Sequence, residues 1–589
     1  MQKNKRTIAI FIAFLIPIII AVIFVRTYHF HDWLYFKMDQ ARDSFLIANA
    51  IENGPQELPL LGPRAGATEL EEGFLRLGPI FYYFQYISGV IFNSTSPDVF
   101  AYPDLFFSIL VLPLLYLFCR TYFKRNISLL VVLMYAFSFL VIQYSRFSWN
   151  PNALPFFTIL TFLALLRTLN SKDEKTKKWW VIILASGLAV GSQLHFVGFF
   201  SLVGVSGLLI LYHYRLWKKA EIKSIFEKHN FKRLAFYCGI FLAVFLFFYT
   251  PVIISDVMRG GENAKNFIMA LGSKPTSQTF SQKVIENFSQ QIEYYTLITT
   301  AYIYPKKIDL KEALPIIFSI AIFIFGIYLI IRNTRKNLDL LKKDFLMLLL
   351  FWFGVFFILC IPLAFQIRPR FFLFTFAIPF LFLGLIFEFL QEQKIKYYKH
   401  IIALLTLIVL LSNISGTVAW FKEQADSQNK DVPIKRTLIL KTKDGVTLGQ
   451  LQGAVDYIYA NKRTGANVYF YVKPEHVRPF NYLFYQKKDA DFKYYTLKIN
   501  EDPNAQYFAI VPSGNGISNI SDKFGDSFNV LTEKDFGQLK VFEISFKDRT
   551  ISNDFRFNKE SGKTDRLFWK DALGIKKQIK PGMEIDDVE

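Results

Sequence analysis

The stretch Lys37-Met38-Asp39-Gln40-Ala41-Arg42-Asp43-Ser44 follows the first apolar segment of the chain and begins a polar loop that runs to about residue 78. Asp39, Arg42 and Asp43 are spaced i, i+3 and i+4, so in a helix their side chains lie on one face. Two carboxylates beside a guanidinium can supply a base, a partner that orients it and a clamp for phosphate. The same spacing also fits an ordinary amphipathic helix whose charges face water, and the rest of the chain has to decide between these interpretations.

Composition indicates a membrane protein. The chain has 589 residues, of which 52% are hydrophobic and 17% aromatic, and its mean hydropathy is +0.27. Many apolar runs approach the roughly 20 residues that a helix needs to cross a bilayer. The net charge of +20 is assigned to cytoplasmic loops, where membrane proteins concentrate Lys and Arg, and no nucleic-acid partner is expected. Cys119, Cys238 and Cys360 lie far apart and form no CxxC motif.

The charges between the apolar runs predict a topology. Apolar segments lie at about 7–25, 78–93, 104–119, 127–145, 152–167, 178–195, 196–213, 234–255, 314–332, 344–366, 371–390 and 400–419. Basic connections lie at 120–125, 167–178, 215–233, 332–343 and 394–399. The positive-inside rule places these connections and the N-terminus in the cytoplasm. Segment 7–25 has no cleavage site of the A-x-A type and is interpreted as a retained first span.

Parity then makes segment 78–93 an exception. If 7–25 runs outward and 104–119 runs inward, 78–93 cannot be a full span, and its Tyr content favours the membrane–water boundary. It is predicted to be an interfacial or re-entrant helix. About eleven spans remain, an odd number, so the C-terminus is predicted to lie outside.

The same topology gathers polar residues from at least four stretches on the external side. Ionisable residues at the ends of spans are candidates for function. For single residues an ordinary role stays open: His195 can hydrogen-bond within the bundle, and Arg368 and Arg370 can extend to lipid headgroups. The external loop at 256–312 could close over a substrate or pack on the C-terminal domain. The gathered residues are Asp39, Arg42, Asp43, Arg76, Arg146, Asn150, His195, Arg368 and Arg370.

The character of the chain changes after Trp420. Residues 421–589 lack a spanning segment, and short β-type runs alternate with helical patterns, which predicts a small α/β domain. The β-type runs are 437–440, 467–472, 507–512 and 539–546, and the helical patterns are 448–460 and 476–485. The charged stretch from about residue 547 is expected to be partly disordered.

Five stretches, taken in order, resemble bacterial membrane glycosyltransferases of the GT-C class. The branch is glycosyltransferase family 39, related to dolichyl-phosphate-mannose protein mannosyltransferases and to the aminoarabinose transferase of lipid A. The resemblance covers roughly residues 1–390 and no part of the C-terminal domain. The stretches are Asp39-Gln40-Ala41-Arg42, Leu58-Pro59-Leu60-Leu61-Gly62-Pro63, Gly78-Pro79-Ile80-Phe81-Tyr82-Tyr83, Ser145-Arg146-Phe147-Ser148-Trp149-Asn150-Pro151 and Gln193-Leu194-His195.

The resemblance implies a GT-C-like fold: a polytopic α-helical membrane protein with about 11 spans, an interfacial helix and a C-terminal extracytoplasmic α/β domain. Residues 1–420 would be the transmembrane glycosyltransferase domain, with the catalytic first external loop at 26–103. Residues 421–589 would be an accessory domain. The implied location is the plasma membrane, with the N-terminus in the cytoplasm.

The resemblance also implies an inverting glycosyltransferase that moves a sugar from a polyprenyl-phosphate donor to an extracytoplasmic protein, lipid or glycan. The catalytic base of the family matches Asp39. A second acid of the family is Gln40 here, which leaves Asp43 as the other carboxylate, and a Lys of the family is missing beside Arg76. No cofactor is certain, and a divalent metal stays open. Substrate and phosphate binding is assigned to Arg42, Asp43, Arg76, Tyr82, Arg146, Asn150, His195, Arg368 and Arg370.

Other functions remain open on the sequence alone. An O-antigen-type polymerase or ligase has many spans and a large external loop, but its chemistry would lie in a late loop. A lipid or solute transporter needs ionisable residues at mid-membrane depth, where this chain has almost none. A non-catalytic glycan-binding scaffold also stays open if Asp39 is not essential.

Overall fold

The computed structural model describes residues 16–69, 74–218, 228–270, 278–303, 310–432, 434–439, 445–497, 502–514, 516–525, 527–547 and 566–575. Helices dominate up to Ser427, and a five-stranded sheet follows. The helices of the first part are α1 (Ile16–Thr27), α2 (Met38–Asn53), α3 (Ile80–Ile91), α4 (Tyr102–Cys119), α5 (Arg125–Ala136), α6 (Phe139–Tyr144), α7 (Leu154–Asn170), α8 (Glu174–Leu194), α9 (Phe196–His213), α10 (Lys228–Met258), α11 (Glu262–Ala270), α12 (Phe280–Thr300), α13 (Leu310–Thr334), α14 (Leu340–Cys360), α15 (Ile378–Glu392) and α16 (Tyr398–Ser427).

Six described helices are long and apolar enough to cross a membrane: α4, α9, α10, α13, α14 and α16. The bent pair formed by the 3₁₀ segment Pro369–Thr375 and α15 makes a seventh candidate. This confirms a polytopic helical protein, but the predicted number of about eleven spans is not confirmed. The predicted span at 127–145 is divided between α5 and the short helix α6, because α5 stops at Ala136. The predicted span at 152–167 corresponds to α7, which has 17 residues.

Helix α3 covers the predicted interfacial segment. It has 12 residues, which corresponds to roughly 18 Å of helix, well below the ~30 Å of a hydrocarbon core. It is therefore too short to cross alone, as the parity argument required. Residues 1–15 of the predicted first span lie outside the described residues, and α1 is the described part of that span.

Individual residues explain where α2 ends and where α8 and α14 begin. Helix α2 ends at Asn53, and Gly54 follows with φ +104°, a conformation that a residue with Cβ rarely adopts. Pro55 then begins a short 3₁₀ turn. At the Lys/Arg-rich connections, Asp173 and Asp339 accept hydrogen bonds from the first turns of α8 and α14.

A two-stranded antiparallel sheet closes the first loop. It pairs β1 (Arg64–Glu69) with β2 (Phe74–Arg76), and Arg64 lies opposite Arg76. The Gly62 N–H donates to the Leu77 carbonyl at 2.8 Å and the Leu77 N–H donates to the Pro63 carbonyl at 3.0 Å, which continues this ladder. The loop is thereby joined directly to the start of α3.

The C-terminal sheet has the strand order β4-β3-β5-β7-β6. The strands are β3 (Asn467–Val472), β4 (Lys493–Thr496), β5 (Ala505–Pro512), β6 (Phe528–Phe536) and β7 (Leu539–Phe546), and the helices are α17 (Leu448–Ala460), α18 (Pro474–Tyr485), α19 (Ser518–Phe524) and α20 (Trp569–Ala572). Strands β3, β4 and β5 are parallel, and β6 and β7 add an antiparallel hairpin. The α/β prediction is confirmed.

One predicted strand of this part is wrong. The predicted run was 437–440, and its described residues 437–439 form no strand. The backbone here is bound by the side chain of Gln143 in α6 instead. The Gln143 side chain donates to the Arg436 carbonyl and accepts from the Leu438 N–H, each at 2.8 Å. The pattern of β-type residues could not reveal a partner about 295 positions away.

The C-terminal part packs on the first loop. Tyr35 forms an isolated β-bridge with Thr447, and the Leu448 N–H donates to the Leu34 carbonyl at 2.9 Å. The Tyr482 hydroxyl donates to the Thr95 carbonyl at 2.5 Å. The sheet domain therefore covers the loop in which the sequence places the site.

Candidate active site

Helix α2 carries Asp39, Arg42 and Asp43, the residues with the i, i+3 and i+4 spacing. Its start is held by Gln40, whose Oε1 accepts from the Lys37 N–H at 3.1 Å while its Nε2 donates to the Ser148 carbonyl at 3.1 Å. The Lys37 Nζ lies 3.4 Å from the His476 Nε2 of α18. Gln40 thus ties α2 to the turn before α7, which is a positioning task for an amide that a carboxylate could not perform.

Arg42 bridges the two carboxylates of α2. Its Nη1 lies 3.2 Å from the Asp39 Oδ1, and its Nη2 and Nε lie 2.8 and 2.9 Å from the Asp43 Oδ1. The three side chains therefore share one face, as their spacing predicted. Their exposure differs sharply: the side chain of Asp39 is 49% exposed and that of Asp43 is 4% exposed. An incoming hydroxyl can reach Asp39 only.

Asp43 is enclosed between Arg42 and a tyrosine of α3. The Tyr82 hydroxyl donates to the Asp43 Oδ1 at 3.0 Å, and Tyr82 itself is fully buried. Burial raises the pKa of Asp43 above its usual value, while the Arg42 guanidinium acts in the opposite direction. The alternative of a simple water-facing amphipathic helix therefore does not hold for Asp43, which instead orients Arg42 toward Asp39.

A second set of guanidinium groups lies on the other side of Tyr82. Arg76, at the end of β2, is 7% exposed, and burial together with the neighbouring Arg566 lowers its pKa to about 9. Arg64 and Arg259 act on it in the same direction. Arg76 still carries its charge at neutral pH, so several cations are gathered around Arg76, and one of them, Arg566, also acts on Asp43. Such a cluster suits an anionic ligand, because a guanidinium fork binds phosphate oxygens in pairs.

The long loop after α10 supports this cluster. The Asn263 Oδ1 accepts from the Arg76 N–H at 3.0 Å, and Asp256 accepts from the Asn263 N–H at 2.8 Å. The described part of this loop at α11 packs on the first loop, through Asn263 and Arg76. The prediction of a loop at 256–312 missed α12, which packs within the helical bundle through Tyr294 and Tyr295.

A third group of residues is centred on Arg370. The Arg370 guanidinium lies 5.0 Å from the centre of a Trp149 ring, a cation–π contact, and is within electrostatic reach of Asp39 and His195. The His195 ring lies 5.3 Å from the Phe371 ring. Arg370 therefore connects the 3₁₀ segment with Trp149 in the turn before α7. Its charge also interacts with His195 at the end of α8 and with Asp39 of α2.

The remaining members of the predicted set have mixed outcomes. Asn150 donates to the Leu194 carbonyl at 2.5 Å, so it holds the turn against the end of α8. Arg368 stands at the beginning of the 3₁₀ segment beside Arg370. These residues lie around the site, and the contacts of Asn150 are structural.

Arg146 lies at the junction of α1 and α16. Its Nη1 and Nη2 donate to the carbonyls of Val25 and Tyr28 at 3.2 and 2.5 Å, and its guanidinium stacks over Trp420 and Phe421. It is 3% exposed. The sequence assigned it to phosphate binding, but the structure uses its charge to satisfy the carbonyls after α1 and to join them to α16.

The donor set for a divalent metal does not fit. Among the described residues no three His, Cys, Asp or Glu side chains come together, and both carboxylates of α2 are engaged by Arg42. No chemical step is therefore derived through a metal.

Sequence reasoning missed Arg64, Arg259 and Arg566. Arg259 precedes Gly260-Gly261 in the long loop, which was itself singled out, so its position was an available signal. Arg566 lies in the charged C-terminal stretch that was expected to be partly disordered. Nothing in the sequence connects that stretch with residues near position 80.

Part of this chain matches a known protein family. Residues 67–254 match the family described as dolichyl-phosphate-mannose-protein mannosyltransferase. This range contains Arg76, Tyr82, Asn150 and His195, whereas Asp39 and Arg370 lie outside it. No curated protein matches the sequence.

Solved structures resemble the whole chain. The oligosaccharyltransferase of Archaeoglobus fulgidus, crystallised with Zn and sulfate, has a TM-score of 0.50 and 13% identity, over 87% of this chain and 70% of that chain. The archaeal oligosaccharyltransferase AglB of the same organism, with an inhibitory peptide and a dolichol-phosphate, has a TM-score of 0.47 and 13% identity, over 92% and 75%. ArnT from Cupriavidus metallidurans in the apo state has a TM-score of 0.43 and 10% identity, over 92% and 98%.

The first of these structures shows a shared fold, and the family match covers the loop and helices that follow the α2 site. The predicted resemblance to GT-C membrane glycosyltransferases is therefore confirmed, and residues 67–254 carry the match to the mannosyltransferase family.

Proposed function

We propose that this protein is an inverting glycosyltransferase that moves a sugar from a polyprenyl-phosphate donor to an acceptor hydroxyl. The observation that supports it most is the junction at Tyr82, where a carboxylate pair with one exposed member meets a buried group of guanidiniums. Sugar transfer from a lipid-linked phosphate needs both features: a base that takes the proton of the acceptor hydroxyl, and cations that stabilise the charge of the leaving phosphate. The match of residues 67–254 to a mannosyltransferase family supports the same chemistry.

The reaction is a single displacement at the anomeric carbon. The acceptor oxygen forms a bond to that carbon as the bond to the donor phosphate oxygen breaks, and Asp39 takes the proton of the hydroxyl. The phosphate leaves with the electron pair and stays as a polyprenyl phosphate. Attack from the face opposite the leaving group inverts the anomeric configuration. The phosphate is a good leaving group, so no general acid is needed.

We assign Arg76 and the guanidiniums near it to the leaving phosphate. Arg42 and Asp43 hold Asp39 in place, since Arg42 contacts both carboxylates. We assign Arg370 and Trp149, which are in cation–π contact, to the region where the sugar and the acceptor would meet, because the charges of Arg370 and Asp39 interact. Arg368 and His195 are assigned to the same region.

The placement of the protein in its membrane belongs to this proposal. The positive-inside rule puts the N-terminus in the cytoplasm and the α2 site outside, in a plasma membrane where the sugar arrives already attached to lipid. The proposed division is a transmembrane domain at 1–420 and an extracytoplasmic accessory domain at 421–589. The acceptor can be a protein, a lipid or an envelope glycan.

The deciding experiment measures sugar transfer from a panel of polyprenyl-phosphate sugars by purified protein. Asp39→Asn keeps the size of the side chain and removes the base, so transfer should fall by roughly 10²–10⁴-fold. Asp32→Asn is the matched control, because Asp32 is an exposed acid of the same loop paired only locally with His29. Equal transfer by wild type and Asp39→Asn would make Asp39 structural, and no transfer by wild type from any donor would refute the function.

A further inference from the structure

The C-terminal strap, defined here as residues 566–575, returns to the first loop from the far end of the chain. The Leu60 N–H donates to the Leu567 carbonyl at 2.8 Å, and the Trp569 N–H donates to the Leu58 carbonyl at 3.1 Å. Between these bonds Pro59 pairs with Phe568 in an antiparallel β-bridge. This part of the charged tail is therefore held against the first loop by an isolated β-bridge and the hydrogen bonds on either side of it.

Side chains fasten the strap on both sides of the bridge. The Trp569 Nε1 donates to the Tyr83 hydroxyl at 2.9 Å, and that hydroxyl donates to the Pro59 carbonyl at 3.1 Å. The Lys570 Nζ lies 2.6 Å from the Glu57 Oε2. These contacts fix the register of the strap, so its first residue has a defined position.

That residue is Arg566. It is 4% exposed, and its guanidinium lies 5.9 Å from the centre of the Tyr82 ring. It acts electrostatically on Asp43 and on Arg76. Tyr82 lies between the carboxylates of α2 and the guanidiniums around Arg76. Arg566 therefore lies where the carboxylates and these guanidiniums meet.

We propose that the strap completes the donor site by delivering Arg566 as a binding residue for the phosphate of a polyprenyl-phosphate lipid. This inference rests on the proposed function and adds a residue that the first 390 positions do not supply. The charge of Arg566 lowers the pKa of Arg76, so bringing the two cations together carries an electrostatic cost. A phosphate with several oxygens, bound by both forks, removes that cost.

The test measures binding of undecaprenyl phosphate to the purified full-length chain in neutral detergent. The readout is the dissociation constant and the rise in unfolding temperature on adding ligand, since a ligand that binds the folded state stabilises it. Arg566→Gln should weaken binding about 10-fold or more, because a hydrogen-bonded charge on the phosphate is lost. Arg566→Lys should give an intermediate loss, because it keeps the charge without the planar fork.

Controls separate this effect from general ones. Arg335→Gln removes the same charge from an exposed residue of the connection between α13 and α14 and should leave binding unchanged. Undecaprenol has the same chain without phosphate, and its weaker binding should be equal in wild type and Arg566→Gln. Phosphatidylglycerol tests a bulk lipid headgroup as the source of the phosphate, and it should compete poorly.

The outcomes distinguish the two proposals. Wild-type affinity for undecaprenyl phosphate in Arg566→Gln or in Arg566→Lys would overturn the role of Arg566 while wild-type sugar transfer upholds the function. Equal Arg566-dependent binding of phosphatidylglycerol would also overturn it. If the wild type bound undecaprenyl phosphate no better than undecaprenol and transferred no sugar, the proposed function itself would fail.

Discussion

Asp39 and Asp43 are four positions apart and yet have different environments. Asp39 is half exposed and paired with Arg42, whereas Asp43 is enclosed by Arg42 and Tyr82. At the scale of single residues the structure therefore separates two tasks that the sequence could not separate. The exposed acid is suited to take a proton, and the buried acid is suited to hold the cation that orients it.

This separation predicts opposite consequences for two conservative substitutions. Asp43→Asn leaves Arg42 largely buried without its main counter-charge, which should cost about 3 kcal/mol of unfolding free energy and lower transfer as well. Asp39→Asn should lower transfer with little change in stability, because an exposed ion pair contributes at most about 1 kcal/mol. Thermal unfolding of both variants, measured beside transfer, checks this. A stable Asp43→Asn protein with full transfer would contradict it.

A second residue-scale prediction concerns pH. His31 lies 3.2 Å from Asp98, and the hydrogen bond to that carboxylate raises the pKa of His31. Burial of Asp98 is outweighed by its bonds to His31 and Ser96, which lower its pKa to about 2. The stability from His31 is fully present below pH 6.5 and is lost as pH rises through its higher folded pKa. The stability from Asp98 is present above its ordinary pKa and is lost only toward pH 2.

The measurement compares thermal unfolding at pH 5.5 and 8.5 for wild type and His31→Gln. The wild type should lose more stability than the variant on going to the higher pH, and Asp98→Asn should remove the same difference. Parallel pH profiles in all three proteins would show that this pair does not couple the segment before α2 to the start of α4.

At the scale of elements, the β1–β2 hairpin and α3 meet at two glycines. A Cβ on Gly62 would lie 2.2 Å from the carbonyl oxygen of Gly78, a backbone atom that cannot turn away. This close approach aligns Arg76 with Tyr82, because Leu77 and Gly78 connect the strand to the helix. The position of the Arg76 guanidinium relative to Asp39 and Asp43 thus depends on the backbone contact between Gly62 and Gly78.

Gly62→Ala should therefore separate the hairpin from α3. We expect a loss of about 1–3 kcal/mol in unfolding free energy from the overpacking and weaker donor binding, measured by thermal unfolding and by the affinity for undecaprenyl phosphate. Gly207→Ala in α9 is the control, since nothing lies within 4 Å of its added methyl group. Equal behaviour of the two variants would show that the hairpin is free to shift.

At the scale of the whole molecule, the sheet domain serves as a cover for the first loop. Tyr482 of α18 is fully buried, packs against Phe36 and Phe45 on either side of the α2 start, and bonds to Thr95. The strap crosses the same loop at Pro59. The site is thus enclosed by parts of the chain that lie more than 380 positions away.

Undocking the domain should consequently lower transfer without touching the substrate. Tyr482→Ala removes a buried aromatic ring and should cost about 3–5 kcal/mol, with faster protease cleavage in the first loop and reduced transfer. Tyr495→Ala is the matched control, because Tyr495 of β4 is 46% exposed in the same domain. Limited proteolysis with transfer assays would contradict the covering role if both variants resembled wild type.

The sequence by itself determined the polytopic helical class, the short helix at 78–93, the α/β character of the C-terminal part and the face shared by Asp39, Arg42 and Asp43. These features rest on local periodicity, length and charge, which neighbouring residues carry. Only the tertiary structure decided that Arg146 satisfies backbone carbonyls after α1, that residues 434–439 bind Gln143, and that Arg566 reaches Tyr82. Each of those results joins positions more than a hundred residues apart, and no local pattern encodes such a contact, because it depends on how the buried surfaces of whole elements fit together.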